Sequence, residues 1–418
     1  MTNLQAKRHL ASRLPSPDAR RLVLLTGARQ VGKTTLARAK WPDLKYLNLD
    51  SAEDRQALRE LPARLWSRSV GPAILDEAQK EPSVFEKLKL AFDDRGLGFS
   101  VLLGSAQVLL LQNVRETLAG RVFVFELWPL TLAELAARGS VPAEPLFVRL
   151  VRDAASAASI LADEPPLLHG DDEASRREAA SHLETWGGMP ELTHLPASER
   201  LDWLRSYHDT YLQRDLADLV RLRDLEPFYR FQRLAAFRTG GLLSYADLAR
   251  DAGTSPATAR NYLEYLRLSY QAFLLPPWSG GSASGLVKSP KIFWADLGIA
   301  RTLTGIHGPA PGPLFESLVV AEAQKLSRTL SLEAELSFFR SRSGLEVDLL
   351  VDTPKGLLAF EIKARGSSSS VDFRPLRLLA DRLGTKLLAA FVVTSGGSLT
   401  KGPSDGPFWT IPFHRLFG

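Results

Sequence analysis

The chain is 418 residues long, 45% hydrophobic and 24% charged, with a formal net charge of +5 and no cysteine. That composition is ordinary for globular protein, the length calls for more than one domain, and the mild positive excess permits an anionic partner without requiring one. The missing cysteines exclude disulfides, thiolate metal sites and a cysteine nucleophile.

No apolar run is long enough to span a bilayer. The opening MTNLQAKRHLASRLPSPDARR lacks an apolar signal core, so a cytoplasmic protein with no membrane partner is expected. Residues 22–26 read as a buried strand, residues 27–32 as a glycine-bounded loop, and Lys33 as the start of a helix. Gly27, Ala28, Arg29, Gln30, Val31, Gly32, Lys33 and Thr34, followed by Thr35, spell the P-loop pattern G-x-x-x-x-G-K-[ST] in the strand-to-helix context it requires. The glycines let backbone N–H groups approach phosphate oxygens, and the helix N-terminus adds partial positive charge. Lys33 would reach the outer phosphates and Thr34 would hold Mg²⁺, so ATP and Mg²⁺ are the expected cofactors.

Short apolar runs at 46–49, 73–75, 100–103 and 122–125 read as strands separated by helical segments, which argues for a parallel sheet covered on both faces. The run at 73–75 delivers Asp76 and Glu77 at its end, the Walker B arrangement. Asp76 would hold Mg²⁺ through water, and Glu77 would orient or deprotonate the attacking water. The next strand runs into Gly104 and Ser105; Ser105 is the candidate for a polar contact to the γ-phosphate or the lytic water, and a plain turn is the alternative. Arg121 or Arg115 is placed to act as an arginine finger supplied by a neighbouring subunit, against the plainer reading of a surface arginine before a strand.

The stretches GARQVGKTTLA, ILDEAQ, LLGSAQ, LAGRVFVFELWPLTLAEL and GGMPE, in that order, followed by YLQRD, KSPKIFWADLGIAR, GLEVDLLV and EIKA, resemble a widespread prokaryotic family of AAA-type ATPases with a winged helix and a C-terminal domain long of unknown function. The resemblance spans nearly the whole chain. One stretch departs from it. Residues 143–177 are rich in Ala, Asp, Glu and Pro, and a loop or partly helical insertion is expected there, broken at Pro165 and Pro166.

Past the turn at 186–191, helical periodicity continues through 201–225 with interleaved charges that read as a solvated face. Ser244 then caps a helix that stops at Gly253, and Ser255 with Pro256 opens the next helix. Helix, glycine turn, helix is the helix-turn-helix pattern, with wing strands expected from 271–278 and 291–294. Its second helix would present Thr254, Thr258, Arg260, Asn261 and Arg267 to DNA phosphates and base edges. A protein-binding or structural winged helix stays open, because Glu264 offsets the basic charge.

In the last hundred residues the expected order is helix, three strands, helix, strand. Glu316 sits on the first helix, Asp348 on one strand, and Glu361 with Lys363 at i and i+2 on one face of the next. Acids converging with a lysine at a sheet edge is the constellation of PD-(D/E)xK nucleases, where the acids hold Mg²⁺. The family's last domain is similar to that restriction-endonuclease fold, which implies a nuclease-like site here, used for binding more than for cutting.

The expected fold class is therefore α/β: a P-loop AAA-type ATPase core at 1–140, a connector and helical lid at 141–225, a winged helix at 226–304 and a C-terminal α/β nuclease-like domain at 314–418. The expected function is an ATP-dependent motor or remodeller of duplex or branched DNA, working as a homo-oligomer, in one arrangement a hexameric ring. The alternative is a STAND-type signalling switch with a protein partner and no nucleic acid.

Overall fold

The computed structural model describes residues 6–104, 114, 116–165, 170–219, 226–280 and 287–418. Strands β1 (Arg21–Thr26), β2 (Lys45–Asn48), β3 (Ala73–Asp76), β4 (Phe99–Leu103) and β5 (Val122–Glu126) form one all-parallel sheet in the order β2-β3-β4-β1-β5. Alternation along β1 divides its side chains between two cores. Leu22 and Leu24 pack with Leu58 of helix α2 (Ala52–Glu60) and with Phe85 and Leu88 of α3 (Ser83–Asp93). Val23 and Leu25 face the other way, with Leu36 and Ala37 of α1 (Lys33–Lys40). Near-continuous apolar strands are what a sheet covered on both faces demands.

The described residues of the stretch 143–177, expected as a loop or partly helical insertion, are largely helical. They form α5 (Leu146–Arg152), α6 (Ala157–Asp163) and the start of α7 (Asp171–Trp186), after the short α4 (Leu132–Ala136). Leu146, Phe147, Val148, Leu150 and Val151 are all buried. Phe147 packs on Phe360 and Phe417 of the last domain, with ring centroids 6.1 and 5.3 Å away. An acidic, alanine-rich average concealed one strongly apolar turn, and that turn braces the C-terminal sheet.

Helix α8 (Ala197–Leu219) leads to α9 (Glu226–Phe237), α10 (Tyr245–Ala252) and α11 (Pro256–Leu268), then to the antiparallel ribbon β6 (Ala272–Leu275) with β7 (Lys291–Trp294), and α12 (Leu297–Thr304). The caps lie where the sequence places them. Ser244 accepts from the Asp247 N–H and Ser255 from the Thr258 N–H, and Gly253 stops α10 in the left-handed region at φ 69°. The last unit is α13 (Gly312–Leu330), β8 (Glu335–Arg340), β9 (Glu346–Thr353), β10 (Gly356–Lys363), α14 (Arg374–Leu383), β11 (Leu387–Thr394), β12 (Thr400–Lys401), β13 (Phe408–Pro412) and α15 (Phe413–Phe417). Its mixed sheet runs β12-β13-β11-β10-β9-β8, parallel from β10 through β11 to β13.

These units are not beads on a string. One hydrophobic cluster runs from Val23 of β1 through α5, α7, α9 and β7 to Phe417. A buried polar junction pins them as well. Asp296, the N-cap of α12, accepts from the Gly188 N–H at 2.7 Å and the Ile299 N–H at 3.1 Å, and Gly188 in turn accepts from the Leu130 N–H at 2.7 Å. Glu322 of α13 accepts from the Leu132 N–H at 2.8 Å and pairs with Lys325 at 2.9 Å. The WPL (128–130), GGMP (187–190) and WAD (294–296) stretches thus meet at one place.

Candidate active site

β1 delivers the chain into a loop whose first residue must be glycine. Gly27 has φ 147°, and a Cβ there would collide with the Leu127 carbonyl of the chain leaving β5. Gln30 and Gly32 take φ 59° and 94° before α1 begins. The loop places Ala28, Arg29, Gln30, Val31, Gly32, Lys33, Thr34 and Thr35 around the opening of α1, with Ala28 and Val31 buried beneath it. Lys33 is 8% exposed, and its Nζ donates to the Gly27 and Ala28 carbonyls at 2.9 and 2.7 Å.

At the end of β3, Asp76 is buried, and its Oδ2 accepts from the Thr34 hydroxyl at 2.6 Å and from Tyr46 at 2.8 Å. Tyr46 escaped the sequence reading; its only signal was its place at 46 in an apolar run. Burial, then the hydrogen bond to Asp76, raises the Tyr46 hydroxyl above its ordinary range, so it remains a donor. The next residue, Glu77, adopts the left-handed region at φ 53°, ψ 44°, a conformation that costs a non-glycine residue about 1 kcal/mol or more and concentrates at functional sites. Its N–H donates to Asp76 Oδ1 at 3.0 Å, and its carboxylate accepts from Gln79.

Residues 29–36, with Asp76 and Glu77, border a cavity of about 1500 Å³. Lys7, Glu191, His194 and Trp203 also line it. Two links fasten the loop to those surroundings. The Arg8 guanidinium donates to the Val31 carbonyl at 2.8 Å and pairs with Glu134 at 3.1 Å, and the Tyr207 hydroxyl of α8 donates to the Arg29 carbonyl at 3.3 Å. Glu134 is held below the usual carboxylate range; burial opposes that, but Arg8 and His9 outweigh it. The chemistry of the donor set fits a nucleoside triphosphate with a divalent cation: a lysine whose present acceptors are loop carbonyls, a hydroxyl and a carboxylate already in contact, and a second carboxylate one residue on.

Arg121 forms a bidentate pair with Asp93 at 2.7 and 2.9 Å. It precedes β5 at the end of the sheet opposite the P-loop, roughly 16 Å away along the strand, so it has no part in the site of its own chain. Ser105 and Arg115 lie outside the described residues.

The second candidate cluster comes together in the last unit. Glu316, Asp348, Glu361 and Lys363 converge, and two groups that the sequence does not link to them join in: Lys291 from β7 and Glu346 from β9. Lys291 Nζ lies 2.8 Å from Glu316, 2.7 Å from Glu346 and 4.0 Å from Asp348. Lys363 pairs with Glu361 at 2.7 Å, and Asp348 Oδ2 accepts from the Ile362 N–H at 2.8 Å. Burial, reinforced by the Asp348 charge, pushes Glu316 and Glu361 each up to about 8. Asp348 is also raised, by burial. Among the described residues, no three carboxylates or imidazoles are grouped closely enough to hold a metal ion between them. Lys291 had read only as the first residue of a wing strand; nothing local in KIFW announces acidic partners so distant in sequence.

On α11, Arg260, Asn261 and Arg267 are exposed and Thr258 partly so. Arg260 lies over the Tyr245 ring at 5.0 Å, Arg267 pairs with Glu264 at 2.7 Å, and the Thr258 and Ser255 hydroxyls are 2.9 Å apart.

Residues 19–136 match the AAA domain family. Together with the parallel sheet and loop geometry above, this defines the class: the first unit is an AAA-type P-loop ATPase domain, joined to a C-terminal α/β unit. Residues 178–310 and 311–414 match two families described as domains of unknown function, DUF8612 and DUF4143. An uncharacterized protein of Mycobacterium tuberculosis is 29% identical over 358 residues, which cover 83% of this chain and 71% of that protein. Among solved structures, a Walker-type ATPase of Pyrococcus abyssi superposes with a TM-score of 0.41 at 16% identity, over 70% of this chain and 94% of that one. A STAND protein of Pyrococcus horikoshii with a tetratricopeptide repeat sensor gives 0.28 at 11% identity, over 78% and 45%. No helix among the described residues is long and apolar enough to cross a membrane.

Proposed function

We propose that the chain hydrolyses ATP at the P-loop and uses the cycle to move or remodel DNA, as a homo-oligomer. The observation that carries the ATPase part is the contact of Thr34 with Asp76 beside Lys33 and Glu77, at the mouth of one large cavity. Mg²⁺ bound with the nucleotide would lie by the Thr34 hydroxyl and Asp76 and would offset phosphate charge. Lys33 would exchange its loop carbonyls for phosphate oxygens. Glu77 would take or orient the proton of the attacking water, 10²–10⁴-fold being typical of such a base. Arg121, remote from its own loop, would serve only a neighbouring subunit.

The DNA part is supported by the order of α9, α10, α11 and the β6–β7 ribbon, which we read as a winged helix, and by the exposed α11 residues. The order α13, β8, β9, β10, α14, β11 is what the nuclease-like reading of the last unit expects, and on that reading the unit would offer a second DNA-binding surface. A signalling switch is the second reading. It is favoured by the pairing of Arg267 with Glu264 and the stacking of Arg260, which leave α11 with little uncommitted positive charge. ATP turnover measured with single-stranded, duplex and four-way-junction DNA decides between them. At least one DNA form should stimulate turnover, and the effect should fall steeply with added salt. Turnover indifferent to all three, in a protein that still hydrolyses ATP, removes the DNA reading and leaves the switch.

A further inference from the structure

Asp76 is held from a direction that the P-loop does not supply. β2, an end strand of the sheet, runs parallel to β3 with Tyr46 opposite Ile74 and Asn48 opposite Asp76. Tyr46 therefore shares a face with Ile74 and Asp76, and its hydroxyl donates to Asp76 Oδ2 at 2.8 Å. The same oxygen accepts from the Thr34 hydroxyl at 2.6 Å, and Oδ1 accepts from the Glu77 N–H at 3.0 Å. A carboxylate offers about four acceptor positions, and donors from α1, β2 and the backbone after β3 fill three of them.

The three donors differ in what a bound cation leaves them. Thr34 is the hydroxyl placed for the ion, so its oxygen must serve the ion while its proton serves Asp76. The Glu77 N–H belongs to the same turn as Asp76 and moves with it. Tyr46 comes from a neighbouring strand, in the body of the sheet. Its ring is held there: the Arg38 guanidinium lies over it at 5.1 Å. With Arg38 and Trp41, Tyr46 borders a separate cavity of about 530 Å³, on which Thr34 also opens. Of the two hydroxyls on Oδ2, that of Tyr46 is the one fixed independently of nucleotide and ion.

We propose that Tyr46 is a positioning residue for the divalent cation. Its hydroxyl fixes the Asp76 carboxylate in the orientation in which Asp76 and Thr34 together hold the ion, and it acts only through Asp76. The inference rests on the ATPase reading and adds to that site a residue from outside the P-loop and β3. Hydrogen-bond partners of the groups around a metal set their orientation, and losing one costs about 10–100-fold in metal affinity.

The test is the affinity of the full-length protein for a fluorescent, non-hydrolysable ATP analogue, measured first in EDTA and then in excess Mg²⁺. Tyr46→Phe keeps the ring under Arg38 and removes only the hydroxyl. In EDTA it should bind as the wild type does; in Mg²⁺ it should bind about tenfold more weakly or worse. Added to Asp76→Ala, the same change should cost nothing further, because the hydroxyl then has no carboxylate to hold. Should Tyr46→Phe fail to fold by thermal melting, Tyr46→Leu carries the same measurements. An unchanged or tighter Mg²⁺ value overturns the proposal. So does an equal loss with and without Mg²⁺, which a merely structural tyrosine would give, and so does a full further loss on top of Asp76→Ala. A wild type that binds no analogue removes the ATPase reading and this inference with it, whereas binding that Tyr46→Phe leaves unchanged removes the inference alone.

Discussion

Lys33 and Glu77 have separable jobs, and two variants separate them. Lys33→Ala removes the one ammonium in the loop and should abolish turnover and weaken nucleotide binding. Glu77→Gln keeps the shape but cannot accept a proton, so binding should persist while kcat drops by about 10²-fold or more. Equilibrium binding of a fluorescent ATP analogue beside steady-state turnover checks both; near-normal turnover in either variant removes the site as described. His182 gives a pH signature. Burial, reinforced by Arg200, lowers it from 6.5 to about 4. The unfolded chain therefore takes up a proton near 6.5 that the folded chain refuses until about 4, so this group's contribution is complete above 6.5 and is lost as pH falls toward 4. In His182→Gln the fall in melting temperature between pH 7 and 5 should be shallower than in the wild type. It should not vanish, because His9 and His414 are lowered by burial too.

At the scale of elements, the junction of Asp296 with the 187–190 turn is the sharpest constraint. Asp296→Ala would strip the cap from α12 and leave the buried Gly188 N–H without its acceptor, each a loss of about 1 kcal/mol or more. Gly298→Ala would drive a methyl into the Trp186 carbonyl, an overpacking cost of roughly 1–3 kcal/mol. Urea midpoints should fall for both, with m unchanged; a wild-type midpoint for Asp296→Ala would mean the junction contributes nothing. Much of this architecture was legible from the sequence. The P-loop and β3 carry their chemistry in consecutive residues, and Ser244, Gly253, Ser255 and Pro256 mark helix ends by local bonding that any reader of caps can find. Contacts between distant stretches were not legible. Phe147 on Phe360, Tyr46 on Asp76, and Lys291 among Glu316, Glu346 and Asp348 are pairings that only the folded chain brings about.

For the molecule as a whole, the position of Arg121 makes assembly a kinetic question. Its own P-loop lies at the other end of the sheet, so a catalytic use requires a second copy. Turnover per chain should then rise with protein concentration, and Arg121→Ala should flatten that rise while leaving nucleotide binding intact. Because Arg121 also pairs with Asp93, Asp93→Asn is the control: it breaks the pair but keeps the arginine, and should retain the concentration dependence. Turnover per chain that is constant over a hundredfold range of concentration would remove the finger and favour the switch reading.

The continuous core has a consequence during synthesis. Phe147 closes against Phe360 and Phe417, so α5 leaves the ribosome long before the surface it covers exists. At cellular elongation rates of about 5–20 residues per second, that wait is roughly a quarter of a minute to a minute. During it the apolar face of 146–151 stands open to chaperones and to other nascent chains. A message cut short before β10 would leave Phe147 without Phe360 and Phe417, the two rings that close over it.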